Sequence, residues 1–396
     1  MSRIAAPRFR IAMLDWRQRL TVLLLAGSAS LALVSVAVSA ILLAFAILGA
    51  ILQWKSWRKE VFLPASVLWP MLLLFLWTVI AVLLGSGSLG DGLIKKCWLF
   101  SILLLVPVFA RGEAKVKLIY HAMFAFAAIS AGSGVLQFLA NPHRSLTDRI
   151  KGFMSIWMTF SGSLMLVLVA LVAYAFVYGW KKHLWVIPLG LVLSASLYLS
   201  QTRNAWIGTC IGTAAVLLML KRPRILLLLA GLLLGAYLLS PAGIQQRLRA
   251  AWDPSDPNTR NRIEIFTAAK RLIRAHPWIG VGQKVNIVAP QYRDPSENPD
   301  WMFIHMHNNF LQIAAERGLP GLFFWIWFMA QLGWQAFRVC RSPAAPQAAV
   351  FAGTAACGAW IALMAAGMFE YNYGDSEILT VFLFMMSAPH AAKSRD

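Results

Sequence analysis

Long apolar runs recur along nearly the whole chain, and short basic or polar segments separate them. About 20 mainly apolar residues in a helix cross the ~30 Å hydrocarbon core of a bilayer. The runs are continuously apolar rather than alternating, which favours helices over barrel strands because backbone groups in lipid must bond to one another. The pattern predicts an all-α polytopic membrane protein with about twelve transmembrane helices.

Run length and charged flanks define the individual spans. The region 20–54 is too long for one helix and is predicted to form two. The other spans are predicted near 63–85, 94–110, 118–140, 154–179, 184–200, 205–220, 225–240, 319–338, 348–370 and 375–389. This divides the chain into N-terminal transmembrane helices (1–240), a periplasmic loop with amphipathic helices (241–306) and C-terminal transmembrane helices (307–396).

Basic clusters fall at every second boundary between these spans. They lie at 3–19, 55–59, 111–117, 181–182, 221–224, 338–341 and 393–395. This alternation is the positive-inside pattern with both termini cytoplasmic. It also accounts for the net charge of +20 without a nucleic-acid partner. The four cysteines show no spacing that indicates a disulfide framework or a zinc site.

The predicted outer loops are also basic, where the rule expects few cations. Arg149 lies in the loop 141–153, Arg203 in the short turn 201–204, and nine Lys or Arg residues in the long polar segment 241–303. Long loops translocate despite their charge, so the topology stands. Misplaced arginines indicate an anionic ligand, since their planar fork suits phosphate oxygens.

A helix is predicted inside the long loop at 261–275. Arg262, Phe266, Ala269 and Ile273 share one face of it. Two interpretations remain open at this stage: Arg262 faces a site, or the helix lies on the membrane interface while Arg262 reaches toward water.

His307 is the candidate for proton transfer. It lies at the predicted start of a helix near the outer membrane boundary, and imidazole accepts a proton close to neutral pH. A lone histidine at an interface is more often structural, and that interpretation stays open. His305 and His307 would not face one another on a helix, and no nearby carboxylate completes a ligand set, so no metal is predicted.

The motifs in this region resemble those of bacterial O-antigen ligases (WaaL), within the O-antigen ligase/polymerase superfamily. His307-Asn308, nine residues and Gly318-Leu-Pro-Gly321 fit their H-[N/S/Q]-x9-G-x-x-G pattern. The elements 262–266 and 276–282 are similar to the Arg-x-x-x-aromatic and His-Pro-x-x-Gly-x-Gly signatures of the superfamily, with Phe266 in place of the commoner Trp.

The resemblance implies a GT-C-type glycosyltransferase without metal or cofactor. It would transfer a polysaccharide from undecaprenyl diphosphate to a sugar hydroxyl of lipid A-core, on the periplasmic face of the bacterial inner membrane. The matching catalytic residues are His307, Arg262 and Arg203. His307 would be the general base of an inverting displacement. Arg149, Arg203, Arg262 and Asn308 are expected to bind the diphosphate.

Three alternatives remain. An O-antigen polymerase or a protein O-oligosaccharyltransferase would use the same donor, although the latter usually carries a larger outer domain. A lipid-linked glycan flippase is a different class, and transporters tend to place ionisable residues in mid-membrane. This chain concentrates its charges at the ends of its predicted spans.

Overall fold

A computed structural model of the protein describes residues 16–58, 63–85, 92–141, 148–240, 242, 245–246, 249, 253, 255–294 and 304–392. Within these ranges every regular element is a helix, as the apolar runs predict. The basic tails 1–15 and 393–396 and most of the predicted loop segments 86–92, 142–147, 241–254 and 295–303 lie outside the described residues.

The long helices follow the apolar runs closely. They are α1 (Trp16–Leu31), α2 (Val36–Leu52), α4 (Ala65–Gly85), α6 (Ile102–Phe109), α7 (Glu113–Ala140), α8 (Trp157–Tyr178), α9 (Val186–Leu199), α10 (Arg203–Met219), α11 (Pro223–Leu239), α12 (Pro257–Ala275), α14 (Asn309–Cys340), α15 (Gln347–Ala366) and α16 (Ser376–Ala392). Single helical turns form α3 (Trp54–Trp57), α5 (Gly92–Lys95) and α13 (Val285–Val288), and 3₁₀ turns lie at Cys97–Ser101, Gly282–Lys284, Ala289–Tyr292 and Asn372–Gly374.

Five helical segments of the described chain are long and apolar enough to cross a membrane. They are Ala65–Gly85, Gly92–Phe109, Glu113–Ala140, Trp157–Tyr178 and Gln347–Ala366. Large apolar side chains such as Leu84 and Leu227 are more than 70% exposed on the outside of the bundle, where lipid would cover them. The fold is that of a helical multi-pass membrane protein; the count of about twelve spans and the GT-C class stay predictions.

Small residues bring α10 and α15 close together. A Cβ atom added at Gly208 would lie 2.8 Å from the Ala362 carbonyl oxygen, and one at Gly212 would lie 2.8 Å from that of Gly358. Close backbone approach at small residues is typical of membrane helix packing. The pairing runs in opposite directions along the two helices, so Arg203, at the start of α10, lies at the same end of the bundle as the residues that follow Ala366.

We call this end of the bundle, which contains Asn308 and Met368, the site end. At the opposite end the Lys117 ammonium lies 4.3 Å from the centroid of the Tyr178 ring. The basic pair 181–182 follows α8, and Arg338 and Arg341 lie at the end of α14. Both helices run from the site end to this opposite end. These basic residues therefore lie at the end opposite the site, and the orientation of the protein in the membrane stays a prediction.

Candidate active site

The site is built on the start of α14, which Asn308 caps. Its buried side-chain Oδ1 accepts hydrogen bonds from the backbone N–H groups of Phe310 (2.8 Å) and Leu311 (3.1 Å). Its Nδ2 donates to the carbonyl oxygen of Met368 (2.8 Å). Asn is a preferred N-cap because its side chain pairs with N–H groups that have no partner inside the helix. Asn308 therefore fixes the start of α14 against the turn that follows α15.

Asn309 strengthens the same junction. Its backbone N–H donates to the Gly367 carbonyl (2.7 Å), its Nδ2 donates to Asn372 Oδ1 (2.7 Å), and its Oδ1 accepts from the Tyr373 N–H (3.1 Å). The side chain is fully buried. These bonds hold the segment 367–374, which carries Glu370, next to the histidines that precede α14.

Glu370 lies between two histidines. His305 Nε2 is 3.3 Å from Glu370 Oε1, and His307 Nδ1 is 3.2 Å from Oε2. The two imidazole rings are tilted against each other with their centroids 4.1 Å apart. His307 has a left-handed backbone conformation (φ 45°), which breaks the chain direction just before the cap. The histidines therefore do not lie on a helix, and they converge on one carboxylate.

The hydrogen bonds assign a tautomer to each ring. The His307 backbone N–H donates to His305 Nδ1 (3.2 Å), so neutral His305 carries its proton on Nε2, which lies 3.3 Å from Glu370 Oε1. His307 can donate to Glu370 only from Nδ1, which leaves its Nε2 as the ring nitrogen that accepts a proton.

Burial and pairing set the charges of this cluster. Burial raises the pKa of Glu370, but the hydrogen bond from His307 and the charges of both histidines outweigh it and hold that pKa below its usual value. Burial lowers the pKa of His305 to about 4, against the pull of Glu370 in the other direction. At neutral pH the cluster therefore contains an ionised Glu370 and a neutral His305.

This geometry corrects the sequence-based argument about metals. We argued that no nearby carboxylate completes a ligand set, and this is wrong because Glu370 supplies one from 63 residues beyond His307. Potential ligand atoms of His305, His307 and Glu370 lie within 4.8 Å of one another, a spacing that could hold a metal ion. Both imidazole rings lie against the Glu370 carboxylate in the structure, and metal independence stays a prediction.

The Gly-x-x-Gly element at 318–321 contacts the His-Pro-x-x-Gly-x-Gly element at 276–282. Gly318 has φ 69°, and a Cβ atom there would lie 2.1 Å from the Trp278 carbonyl oxygen. The Leu319 N–H donates to the Pro277 carbonyl (2.7 Å), and the Val281 N–H donates to that of Ala315 (2.8 Å). The segment 276–282 therefore packs against the kink of α14, and Gly318 is required there because no side chain fits.

Helix α12 packs on protein through its apolar face. Ile265 and Leu272 are buried in a small cluster that also contains Met306 and Ala315. The apolar face of α12 is therefore covered by protein, and whether the helix also lies at the membrane interface stays a prediction. Arg262 is half-buried and lies one turn before Ile265. Met306 lies between the two site histidines in the chain. Since α12 packs against Met306, Arg262 lies on a helix that contacts the segment carrying these histidines.

Arg203 and Arg149 come from other elements at the site end. Arg203 is half-buried and begins α10. Arg149 is exposed, and its guanidinium lies 4.9 Å from the centroid of the Trp157 ring at the start of α8. The structure thus gathers the predicted site residues at one end of the bundle; their convergence on one ligand stays a prediction.

A polar cavity of about 330 Å³ opens beside His305. It is lined by Gly92, Leu93, Lys96, Ile156, Met158, Gln283, Val285, Asn286, Ile304, His305, Gln312, Glu316, Glu370, Tyr371, Gly374 and Asp375. Of its titratable residues only His305 was considered from the sequence, because Lys96, Glu316, Glu370 and Asp375 come from three separate segments with no shared spacing.

A buried network of hydrogen bonds fixes the chain segment that carries the two histidines. Glu316 pairs with Arg317 (2.6 Å), and Gln312 Nε2 donates to Glu316 Oε1 (2.8 Å). Gln312 Oε1 in turn accepts from the backbone N–H of Met306 (2.7 Å). The charged pair is buried, and such a pair is tolerated only when its remaining bonds are satisfied. The network fixes the backbone between His305 and His307.

Comparison with known proteins adds one similarity. No curated protein matches the chain. Residues 188–326 match a family model described as O-antigen ligase (Wzy_C). This segment contains Arg203, Arg262, His307 and Asn308, whereas Arg149 and Glu370 lie outside it. The match supports the O-antigen ligase/polymerase superfamily and a glycosyl transfer of the ligase or polymerase type.

Proposed function

We propose that the protein is an O-antigen ligase. It transfers a polysaccharide from undecaprenyl diphosphate to a sugar hydroxyl of lipid A-core, on the periplasmic face of the bacterial inner membrane. The observation that carries the proposal is the pairing of His307 Nδ1 with the buried Glu370 carboxylate, at the end of the bundle that also contains Arg203 and Arg262.

An apolar groove supports a polyprenyl donor. It has a volume of about 570 Å³ and lies between α8, α9, α10 and α11. Helix α10 lines it from Trp206 to Leu217, a length of about 16 Å at 1.5 Å per residue. Arg203 lies one turn before Trp206 at the site end. Arg249 donates to the hydroxyl of Tyr237, another lining residue (3.2 Å). A long isoprenoid chain with an anionic head group matches this arrangement.

The proposed reaction is one direct displacement. His307 Nε2 removes the proton of the acceptor hydroxyl as its oxygen bonds to the anomeric carbon. Glu370 holds the ring and stabilises the imidazolium that forms, as carboxylates do in hydrolytic triads. The bond from the anomeric carbon to the phosphate oxygen breaks, and undecaprenyl diphosphate leaves. A single displacement inverts the anomeric centre without a metal or a cofactor.

The arginines have the complementary role in this mechanism. Negative charge grows on the diphosphate as it leaves, and preorganised cations stabilise growing charge more than they stabilise the bound substrate. We assign this role to Arg203 and Arg262, with Arg149 as a further contact. Asn308 was expected to bind the diphosphate. Since it already makes three hydrogen bonds within the protein, we assign it the positioning of His307 instead.

The decisive experiment offers two acceptors to the reconstituted protein with a lipid-linked O-antigen donor. A ligase elongates lipid A-core, whereas a polymerase elongates a second lipid-linked glycan. Elongation of the lipid-linked glycan alone would show that the protein is a polymerase and not a ligase. Transbilayer movement of the donor without transfer would indicate the flippase.

Arg262→Ala tests the diphosphate role with a matched control on the same helix. We expect the variant to lose about 10²-fold or more in kcat/KM for the donor, the usual cost of removing one stabilising donor at a developing charge. Arg274 is an exposed cation of α12, so Arg274→Ala should stay within about twofold of the wild type. Equal effects of the two substitutions would show that only the net charge of the helix matters.

A further inference from the structure

The polar cavity beside His305 differs in charge from the arginine-rich elements around it. Its lining contains the carboxyl groups of Glu316, Glu370 and Asp375 and a single cation, Lys96. The Lys96 ammonium donates to the carbonyl oxygen of Gly374, which is itself part of the wall. The cavity wall therefore presents mainly hydrogen-bond acceptors and negative charge.

The three carboxyl groups are not equivalent. Glu316 is held by Arg317 and Gln312, and Glu370 is held by the two histidines. Asp375 accepts one hydrogen bond from the Thr159 hydroxyl (2.9 Å), and burial raises its pKa to about 7. A carboxyl group offers about four lone-pair positions, so Asp375 has the greatest remaining capacity to accept bonds from a ligand.

The other wall residues are of the kind that binds sugars. Gln283 and Asn286 are exposed amides on the segment after α12, and Tyr371 supplies an aromatic side chain on the opposite wall. The volume falls within the ~300–1,000 Å³ of small-molecule sites. The cavity also adjoins the proposed base, because His305 lines it and its ring centroid is 4.1 Å from that of His307.

We infer that this cavity binds the acceptor sugar that receives the glycan, and that this sugar presents hydroxyl groups and carries no phosphate. The inference rests on the proposed glycosyl transfer. Sugar hydroxyls donate hydrogen bonds to Asp375 and to the amides, whereas a phosphate would meet the ionised Glu370 with like charge. Placing like charges together is a common means of rejecting a competing ligand. Donor diphosphate and acceptor sugar are thereby directed to separate parts of the site.

The test compares two small acceptors that differ by one phosphate group. The full-length protein in lipid nanodiscs receives a lipid-linked glycan donor with either octyl hexoside or the matching octyl hexoside phosphate. Like-charge contacts cost enough that we expect the phosphate ester to have a KM at least about tenfold higher. Saturation-transfer NMR with the same two probes measures binding separately from turnover.

Two variants connect this discrimination to the cavity. Asp375→Asn should raise the KM for octyl hexoside several-fold and reduce the difference between the probes, while the KM for the donor is unchanged. Asn286→Lys adds a cation at an exposed wall position and should improve use of the phosphate ester. The control is Glu377→Gln, which removes one negative charge from the same segment outside the cavity lining and should leave both KM values unchanged.

The outcomes separate the inference from the function it rests on. Equal KM values for the two probes, or transfer to lipid A-core without use of octyl hexoside, would overturn the acceptor assignment and leave the ligase standing. An effect of Asp375→Asn that Glu377→Gln reproduces would also overturn it. Absence of transfer to any acceptor, lipid A-core included, would reject the ligase itself.

Discussion

Glu370 is the residue on which the proposed base depends, because its carboxylate orients the His307 ring and selects the tautomer with Nε2 free. We expect Glu370→Gln to lower kcat by about 10–100-fold, the usual cost of removing a group that orients a functional histidine. The amide keeps the size of the side chain but cannot accept from both imidazoles with the same strength. His307→Ala should abolish transfer altogether.

Steady-state kinetics with lipid A-core distinguish an orienting role from a structural one. The KM of both substrates should stay within about threefold of the wild type in Glu370→Gln, since the residue is assigned to the transition state. A variant with unchanged kcat would contradict the dyad. If the loss of activity matched a loss of folded protein and a lower melting temperature, Glu370 would only stabilise the turn 367–374.

His305 makes the stability of the site depend on pH. Its pKa is lowered to about 4 in the folded protein. Between about pH 6.5 and about pH 4 the histidine is therefore protonated in the unfolded chain but neutral in the folded chain. The stability contributed by neutral His305 is therefore complete above about pH 6.5 and is lost as the pH falls toward 4. We expect the melting temperature to fall between about pH 7.5 and about pH 5, and to fall less in His305→Gln.

The matched control for this measurement is His276→Gln. His276 is exposed and bonded to the Tyr292 hydroxyl (3.0 Å), so its substitution should leave the pH dependence of the melting temperature close to that of the wild type. If the melting temperature fell equally with pH in His305→Gln and in the wild type, groups other than His305 would cause the acid sensitivity.

At the residue scale the sequence indicated the local motif of the candidate site but not the residues that contact this motif from other loops. His307 and Asn308 were identified because they stand next to each other in a local motif and begin a helix. Glu370 was missed, since the loop that carries it follows a separate helix and no local spacing connects the two. Short-range patterns specify which residues share a turn, whereas contacts between loops depend on the packing of the whole bundle.

At the scale of elements, the kink of α14 couples the motif that begins with His307 to the segment 276–282. We expect Gly318→Ala to lower transfer more than tenfold and to lower the melting temperature. Its Cβ would overlap the Trp278 carbonyl oxygen, and its φ of 69° disfavours any side chain. Either the kink straightens or the segment moves away, and both displace Ala315 from its contact with α12.

Gly132→Ala is the matched control for the kink. Gly132 lies within α7, and a Cβ atom there would meet nothing within 4 Å. The same substitution should be neutral or slightly stabilising at this position, because alanine favours a helix over glycine by up to about 1 kcal/mol. Thermal unfolding and transfer assays on both variants decide the matter; equal behaviour would remove the special role of the kink.

Helices were the most predictable elements of this protein. The boundaries predicted from apolar runs agree with α4, α8 and α10 within a few residues, because run length and flanking charge are local properties. The orientation of α12 was less predictable: its periodicity identified an apolar face but not the surface that covers it. That surface is Met306 and Ala315, which the sequence alone could not bring together with Ile265.

At the scale of the whole molecule, the basic clusters that follow the positive-inside pattern and the candidate site lie at opposite ends of the bundle. Arg203 and Glu370 lie at the site end, while Lys117 and Lys181 lie at the other. From the positive-inside rule we expect the site end to face the periplasm. This arrangement suits the proposed reaction, since lipid-linked glycan and lipid A-core would meet on the same side.

Sidedness is testable with single cysteines in a protein whose four native cysteines are replaced. Lys284 is exposed on the segment that follows α12 at the site end, and Lys181 is exposed after α8 at the opposite end. A membrane-impermeant maleimide added to intact spheroplasts should label Lys284→Cys, whereas Lys181→Cys should react only after the membrane is opened. The reverse pattern would place the site in the cytoplasm, where neither proposed substrate could be presented on the periplasmic leaflet. Since orientation precedes every step of the mechanism, that outcome would reject the ligase even if His307 and Glu370 proved essential.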